Sequence, residues 1–345
     1  MAKLFSDRNR PVHMGRFPTE ILKRSAHMPD LDGLAPWPDL SFQRPAGSAS
    51  LVPAMAEFQA MMDAVRDGPQ NQAPSEIPED RLERSRHLKS FAYFNDISMV
   101  GIAPLGQADR LAAARRNPQI DRLSHALQTR QTKTLAAGID VIMADLRESM
   151  TAKPQPMDHH TYALVFLVAY RRDPRPGEIG CDWVQDAQAE RAAVLGTETA
   201  TVLANYIRIL GYSARAHSAT TCDVDLARLA VKAGLAQVVG DEITHPWLGH
   251  RFGLAAVTTD MALAPDLPLA ADQPQSALLG LDWTLGRHGG ASRRSHDPYA
   301  RREYAQGAHP FETLKRVETP TTYIDEPNVA RVPKRTDMFA RAQFG

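Results

Sequence analysis

The stretch "TYALVFLVAY", Thr161–Tyr170, is apolar at odd and even positions alike and rich in β-favouring residues. A strand with two apolar faces must be covered on both of them, so it belongs at the centre of a sheet held between two layers. The neighbouring patterns fit that requirement. "SMVGIAPL" (Ser98–Leu105), "YSARAHS" (Tyr212–Ser218) and "FGLAAVTTD" (Phe252–Asp260) read as further strands. "RLERSRHLKSFAYFND" places Leu82, Leu88, Phe91 and Phe94 on roughly one helical face. Two helical stretches are expected around 107–116 and 119–137. A long amphipathic helix over 184–210 carries Leu195, Val202, Tyr206 and Ile209 at helical spacing and ends at Gly211. "DVDLARLAVKAGL" is a helix capped by Asp223 or Asp225 that stops at Gly234. The reading is an α/β layer structure over 81–270. An irregular flank and linker precede it (1–80), and an irregular tail follows (271–345).

Composition then removes whole classes of function. The 40 basic and 40 acidic side chains leave a formal net charge of zero, without the basic stripe that nucleic acid would select. Arg293-Arg294 and Arg301-Arg302 come nearest to one and read as solvated surface. There is no apolar run long enough to insert in a membrane, and the charged start "MAKLFSDRNR" lacks the apolar core of a signal peptide, so a cytoplasmic protein is expected. The two cysteines, Cys181 and Cys222, cannot build a disulfide scaffold or supply the four thiolates of an iron–sulfur cluster.

The densest chemistry lies in "HSATTCDVD", His217–Asp225, with a histidine, hydroxyls, a thiol and two carboxylates. A nucleophile needs a base within hydrogen-bond reach, which closeness in sequence does not provide. Cys222 therefore reads as a small buried hydrophobe and the aspartates as caps. His245 and His250 in "HPWLGH" are five apart, the wrong spacing for two metal ligands on one helix, and "MDHHTY" (His159, His160) is a polar lead-in to the central strand. No phosphate-cradling glycine loop is present. On chemistry alone the sequence names no reaction.

Several blocks nonetheless occur in a familiar order. "HLKSFAYFNDISMVGIAPL", "YALVFLVAYRRDP", "ATVLANYIRILGYSARAHS", "LARLAVKAGLA" and "GHRFGLAAVTTDMALAPDLPLA" resemble successive elements of the reductive dehalogenases, with epoxyqueuosine reductase as the related alternative. "PVHMGRFPTEILKR" resembles the family's N-terminal segment, and "HPFETLKRVETPTTY" (His309–Tyr323) echoes it weakly, as if a second module began there. The resemblance implies a nitroreductase-like α/β core that holds cobalamin. Two [4Fe–4S] clusters would feed the cobalt, and a tyrosine would protonate the substrate carbon. By that resemblance His217, Ser218 and Gly249 line the cofactor, and Arg251 steers the substrate.

The departures from the family are as informative. Ala271–Gly345 contains no cysteine where the family carries its cluster motifs. "AERAAVLGT" (Ala189–Thr197) has no tyrosine where the proton donor should lie, and Tyr206 and Tyr212 are accounted for by packing. The glycine-rich turn near the corrinoid is replaced by "VVGDEITHP", where Asp241, Glu242 and then Trp247 bring charge and bulk. Arg251 keeps one of two paired arginines, and its structural alternative is a contact with Asp241 or Glu242. The expectation is a non-catalytic module that lacks iron–sulfur clusters and needs no cofactor, with cobalamin as the open alternative. Its partner would be a second copy of the chain or a cluster-bearing reductive dehalogenase module. A corrinoid-dependent reductase with an external electron donor, and a binding module for cobalamin or another flat ligand, are the rivals. The volume a cofactor would fill should be taken up by Trp247 and Phe252, or by the flanks folding over it.

Overall fold

The computed structural model describes residues 11–15, 17–42, 49–129, 154–171 and 174–273. The tail beyond 273, with the echo at His309–Tyr323 and the arginine pairs, lies outside the described residues, as does the expected helix beyond 129.

A four-stranded antiparallel sheet forms the centre. Its strands are β1 (Met99–Pro104), β3 (Tyr162–Ala169), β8 (Phe252–Thr259) and β4 (Ala214–His217), in the order β1-β3-β8-β4. The run that opened the reading is β3, paired on both sides: Val165 lies opposite Gly101 of β1 and Ala256 of β8. Because side chains alternate along a strand, Leu164, Phe166 and Val168 enter one apolar cluster and Ala163, Val165 and Leu167 the other. The α/β layering expected from this run is therefore present.

One face is covered by α2 (Arg81–Phe94) and α5 (Gln188–Ile209), and the other by α6 (Leu226–Lys232) together with the N-terminal flank. A β2–β5 ribbon (Arg110–Arg115, Cys222–Val224) and a β6–β7 hairpin (Gln237–Val239, Glu242–Thr244) complete the strands, with α3 (Gln119–Thr129) and a single turn, α4 (Cys181–Val184). No helix among the described residues is long and apolar enough to cross a membrane.

Several sequence expectations need correction. The stretch read as a helix at 107–116 is a 3-10 turn followed by β2; Arg110 and Arg115 pair with Val224 and Cys222, so partner strand overrides local propensity. The buried face of α5 is not Leu195–Val202–Tyr206–Ile209, since Val202 and Ile209 are exposed. It is Ala192, Gly196, Ala200, Leu203, Ala204 and Ile207. Small residues win because α5 approaches the sheet closely: a Cβ on Gly196 would lie 2.9 Å from that of Ala255, and one on Gly253 2.8 Å from that of Ala192. In α2, Leu88 and Ala92 are buried while Leu82 and Phe94 face outward. Asp225, not Asp223, caps α6, accepting from the backbone N–H groups of Ala227 and Arg228. Inside the stretch read as irregular flank and linker lies a helix, α1 (Val52–Ala64), with Pro53 in its first turn.

The flank also supplies aromatics. Phe17 stacks on Trp247 with centroids 6.3 Å apart, and Trp37 on Phe252 at 5.4 Å. Arg24 donates to the carbonyls of Gly234 and Leu267, pinning the flank across the sheet. Trp247 and Phe252 are thus both covered by aromatic rings from the flank.

A close backbone approach is made at Gly101, where an added Cβ would meet the carbonyl oxygen of Ala233 at 2.3 Å. Gly101→Ala is expected to destabilise the fold by about 1–3 kcal/mol through overpacking. Val202→Ala, on the outer face of α5, should stay within about 0.5 kcal/mol of wild type. Urea unfolding of the two variants measures both values.

Candidate functional site

The polar run at the opening of β5 is built into a buried network rather than a cleft. Strand β4 carries His217 inward with its side chain at 0% exposure. The hydrogen bonds assign its tautomer. The backbone N–H of Asp223 donates to His217 Nδ1 at 3.3 Å, so the ring proton is on Nε2 and is donated to Thr258 Oγ1 at 2.9 Å. Thr258 then gives its single proton to His160 Nδ1 at 2.8 Å, and His160 Nε2–H donates to Ser213 Oγ at 2.8 Å. Burial pushes both imidazoles down, His217 well below the usual range and His160 to about 3, where its neighbours His159, Arg215 and Arg110 act in the same direction. Both rings are neutral at pH 7.

Beside this relay lies an ion network. Asp223 Oδ2 meets Arg66 Nη1 at 2.6 Å and Arg215 Nη1 at 3.3 Å. Arg215, 4% exposed, turns its Nη2 to Asp67 at 2.7 Å and also donates to the Gln155 carbonyl. Burial alone would push the Asp223 carboxyl up, but His217, Arg66 and Arg215 outweigh it and hold it at about 2. Since His217 is itself neutral, the two guanidiniums are the charges that matter at pH 7. The segment after α1 is stitched to the β4 edge as well: Ala216 N–H donates to the Arg66 carbonyl at 3.0 Å, so the edge strand is not left open. Ser218, also buried, donates to Asp63 of α1 at 2.7 Å.

The remaining candidates lie elsewhere. Cys222 is fully buried, its thiol is pushed up to about 12 by burial, and it donates to the Val224 carbonyl, which makes it inert as a nucleophile. Gly249 closes a tight turn, exchanging both backbone bonds with His245 at 2.9 Å, and takes a positive φ of 59°. Trp247, within that turn, is 1% exposed and packs into the apolar cluster against Phe17. Glu242 is met by His250 at 3.8 Å. Arg251 donates to the Arg171 carbonyl at 3.1 Å and lies 5.9 Å from the Tyr170 ring. Five residues of β8 separate Arg251 from Ala256, the partner of His217. At strand rise that is about 17 Å. The structure therefore brings His217 and Ser218 together and leaves Gly249 and Arg251 apart from them.

Two groups escaped the sequence reading. Gln59 and Asp63 are buried polar residues one turn apart on α1, on a face shared with Val52, Ala56 and Ala60. Such a pair on an apolar helix face was the available signal. The other group is Tyr170 with Glu190 at the start of α5. Burial pushes both upward, and the Glu190 charge adds to the shift of Tyr170.

The donor set does not fit the groups that the resemblance implied. Both His217 ring nitrogens and the Ser218 hydroxyl are already bonded inside the chain, which leaves neither side chain an unused polar group to offer a corrinoid. The two cysteines sit on different elements, α4 and β5, and both are buried. Among the described residues no group of three or more His, Cys, Asp or Glu is placed to hold a metal ion.

No protein-family model matches the chain, and no curated protein does. Solved structures do match. A catabolic reductive dehalogenase, NpRdhA, is 32% identical with a TM-score of 0.63 over 98% of this chain and 42% of its own length. The same enzyme in complex with 3-bromo-4-hydroxybenzoic acid aligns at 32% identity and a TM-score of 0.61, over 98% of this chain and 41% of its own. A reductive dehalogenase whose structure suggested a mechanism for B12-dependent dehalogenation aligns at 31% and 0.61, over 99% of this chain and 42% of its own. Epoxyqueuosine reductase, at 15% and 0.32, is too distant to bear on the reading. The chain thus spans about two fifths of the length of the enzymes it matches. The alignments cover nearly all of this chain, and its fold is that of the reductive dehalogenase family.

Proposed function

We propose that this chain is a non-catalytic reductive-dehalogenase-like module that serves as a structural partner of an active, cobalamin- and cluster-bearing one. The observation that carries this reading is that His217 and Ser218, the residues the family resemblance sets against the corrinoid, are buried and bonded to the chain's own side chains. The two-cysteine composition supports it, because one chain cannot supply four thiolates. So does the share of its relatives that the chain spans, which in a whole enzyme leaves room for another module. In this reading 81–270 is the module proper, 1–80 its covering flank, and 271–345 the approach to a second module. The partner is that second module or another copy of the chain, in the cytoplasm.

One observation favours a second reading, a corrinoid-dependent reductase supplied by an external donor. Tyr170, Glu190 and Arg251 gather where α5 begins, close to where the sequence lacked the expected tyrosine. Turnover with reduced methyl viologen, present in wild type and abolished in Arg251→Ala at unchanged melting temperature, would establish that reading in place of the first.

Calorimetry with hydroxocobalamin tests the leading proposal. No binding tighter than micromolar is expected, and an affinity of about −8 kcal/mol or better would contradict it.

The buried network makes a separate prediction about pH. His160 and His217 are neutral in the fold but titrate near 6.5 when unfolded. As pH falls below that value the unfolded chain takes up protons that the folded chain refuses, and stability declines by up to about 1.4 kcal/mol per pH unit for each ring. Asp223 behaves differently. Its carboxyl is lowered from 3.8 to about 2, so its stabilisation is present above the unfolded value and is lost as pH falls between those two values. Urea midpoints should therefore fall continuously below pH 6.5, and more steeply below pH 4, where Asp223 adds its loss. His217→Gln should flatten the first decline. A stability that stays level from pH 6.5 to 5 in wild type would show that the histidines are not held neutral.

A further inference from the structure

The α1 helix carries Asp63 into the centre of the β4–β5 turn, where its carboxyl is 3% exposed. Four donors converge on it. Ser218 Oγ reaches Oδ1 at 2.7 Å, and Gln59 Nε2 lies 3.1 Å from the same oxygen, its two N–H groups shared among Asp63, Thr197 Oγ1 at 2.8 Å and Thr220 Oγ1 at 3.1 Å. Thr220 Oγ1 reaches Oδ2 at 2.5 Å, and Asn117 Nδ2 the same oxygen at 2.9 Å.

The direction of these bonds follows from what else the hydroxyls do. Ser218 Oγ accepts the backbone N–H of Thr220 at 3.2 Å and of Thr221 at 2.9 Å, which fills its lone pairs and leaves its proton for Asp63. Thr220 Oγ1 accepts from Gln59 Nε2 at 3.1 Å and passes its own proton on. Asn117 is held in place by its backbone N–H, which donates to Thr221 Oγ1 at 3.0 Å. These groups are neutral donors, directed at one point by a turn and a loop that are themselves buried.

A set of neutral donors aimed at two oxygens in a dry site is the recognition chemistry of a carboxylate anion. Burial works against ionisation there and raises the Asp63 carboxyl, while the bonds from Thr220, Asn117, Ser218 and Thr221 pull it back. We propose that Asn117, Ser218 and Thr220 form a carboxylate-binding site, completed by Gln59, whose resident ligand is the chain's own Asp63. With the Asp63 side chain removed, the site would take a small free carboxylate of the formate or acetate class. The inference is independent of the partner reading, since it concerns the anion selectivity of the cradle and holds whether or not a second module exists.

The experiment uses the full chain. Asp63→Ala empties the cradle and should lower the melting temperature, and formate or acetate should restore part of the loss in a saturable way that equal chloride does not match. Wild type should not respond. Asp63→Asn provides a second measurement: its amide is isosteric but sets two N–H groups against the two donors that met one of the oxygens. It should melt lower than wild type by clearly more than Asp121→Asn, an exposed aspartate paired with Arg116 at 3.3 Å. If Asp63→Ala folds only when formate is present, the site is supported in the strongest form. The proposal is overturned if formate and acetate do no more than chloride, or if Asp63→Asn is as stable as wild type.

Discussion

Two carboxylates, Asp63 and Asp223, determine which way the residues around the β4–β5 turn face. Asp223 sits under Arg66 and Arg215, and Asp63 under the hydroxyls of Ser218 and Thr220. A buried charge is tolerated only when paired or hydrogen-bonded. With both carboxylates inside, the hydroxyls of Ser218 and Thr220 turn to one and the guanidiniums of Arg66 and Arg215 to the other. His217 lies 3.5 Å from the Asp223 carboxylate, which is already held by the two guanidiniums, and its ring joins the neutral relay through Thr258 to His160. Removing one partner of such a network leaves the others buried and unsatisfied.

Since Arg66, Asp63 and Gln59 all come from α1 or the residues just after it, the covering flank is part of the core's polar architecture. The apolar side shows the same arrangement, with Phe17 against Trp247 and Trp37 against Phe252. Interiors pack at crystal-like density. Here the density on that face of the sheet is completed by aromatics supplied from outside the module proper.

Much of the fold was legible because β3 is apolar on both faces and can be read in only one way. The strands flanking it and the stop at Gly211 followed from period and punctuation. The buried face of α5 did not, because close packing against Ala255 selects small residues, whereas a hydrophobicity pattern draws the eye to Val202 and Ile209. The β2 strand was missed for a related reason, since its partner lies in β5, more than a hundred residues away. Of the candidate site, the sequence identified "HSATTCDVD" as the dense spot and read Cys222 correctly as buried. It did not reveal that α1 supplies the acid. Asp63 and Ser218 are 155 positions apart, and only the fold brings them to 2.7 Å.

The central claim, that α1 and the β4–β5 turn are one structural unit with the sheet, is tested most directly by native-state hydrogen exchange. The amides of Thr221, Asp223 and Asn117 donate to Ser218, His217 and Thr221 inside the network. They should exchange with the same free energy as the amides of β3 and β8, that is, only through global unfolding. Exchange of these three amides together with α1, at a free energy clearly below that of the β3–β8 pair, would mean that the flank opens independently and would contradict the account.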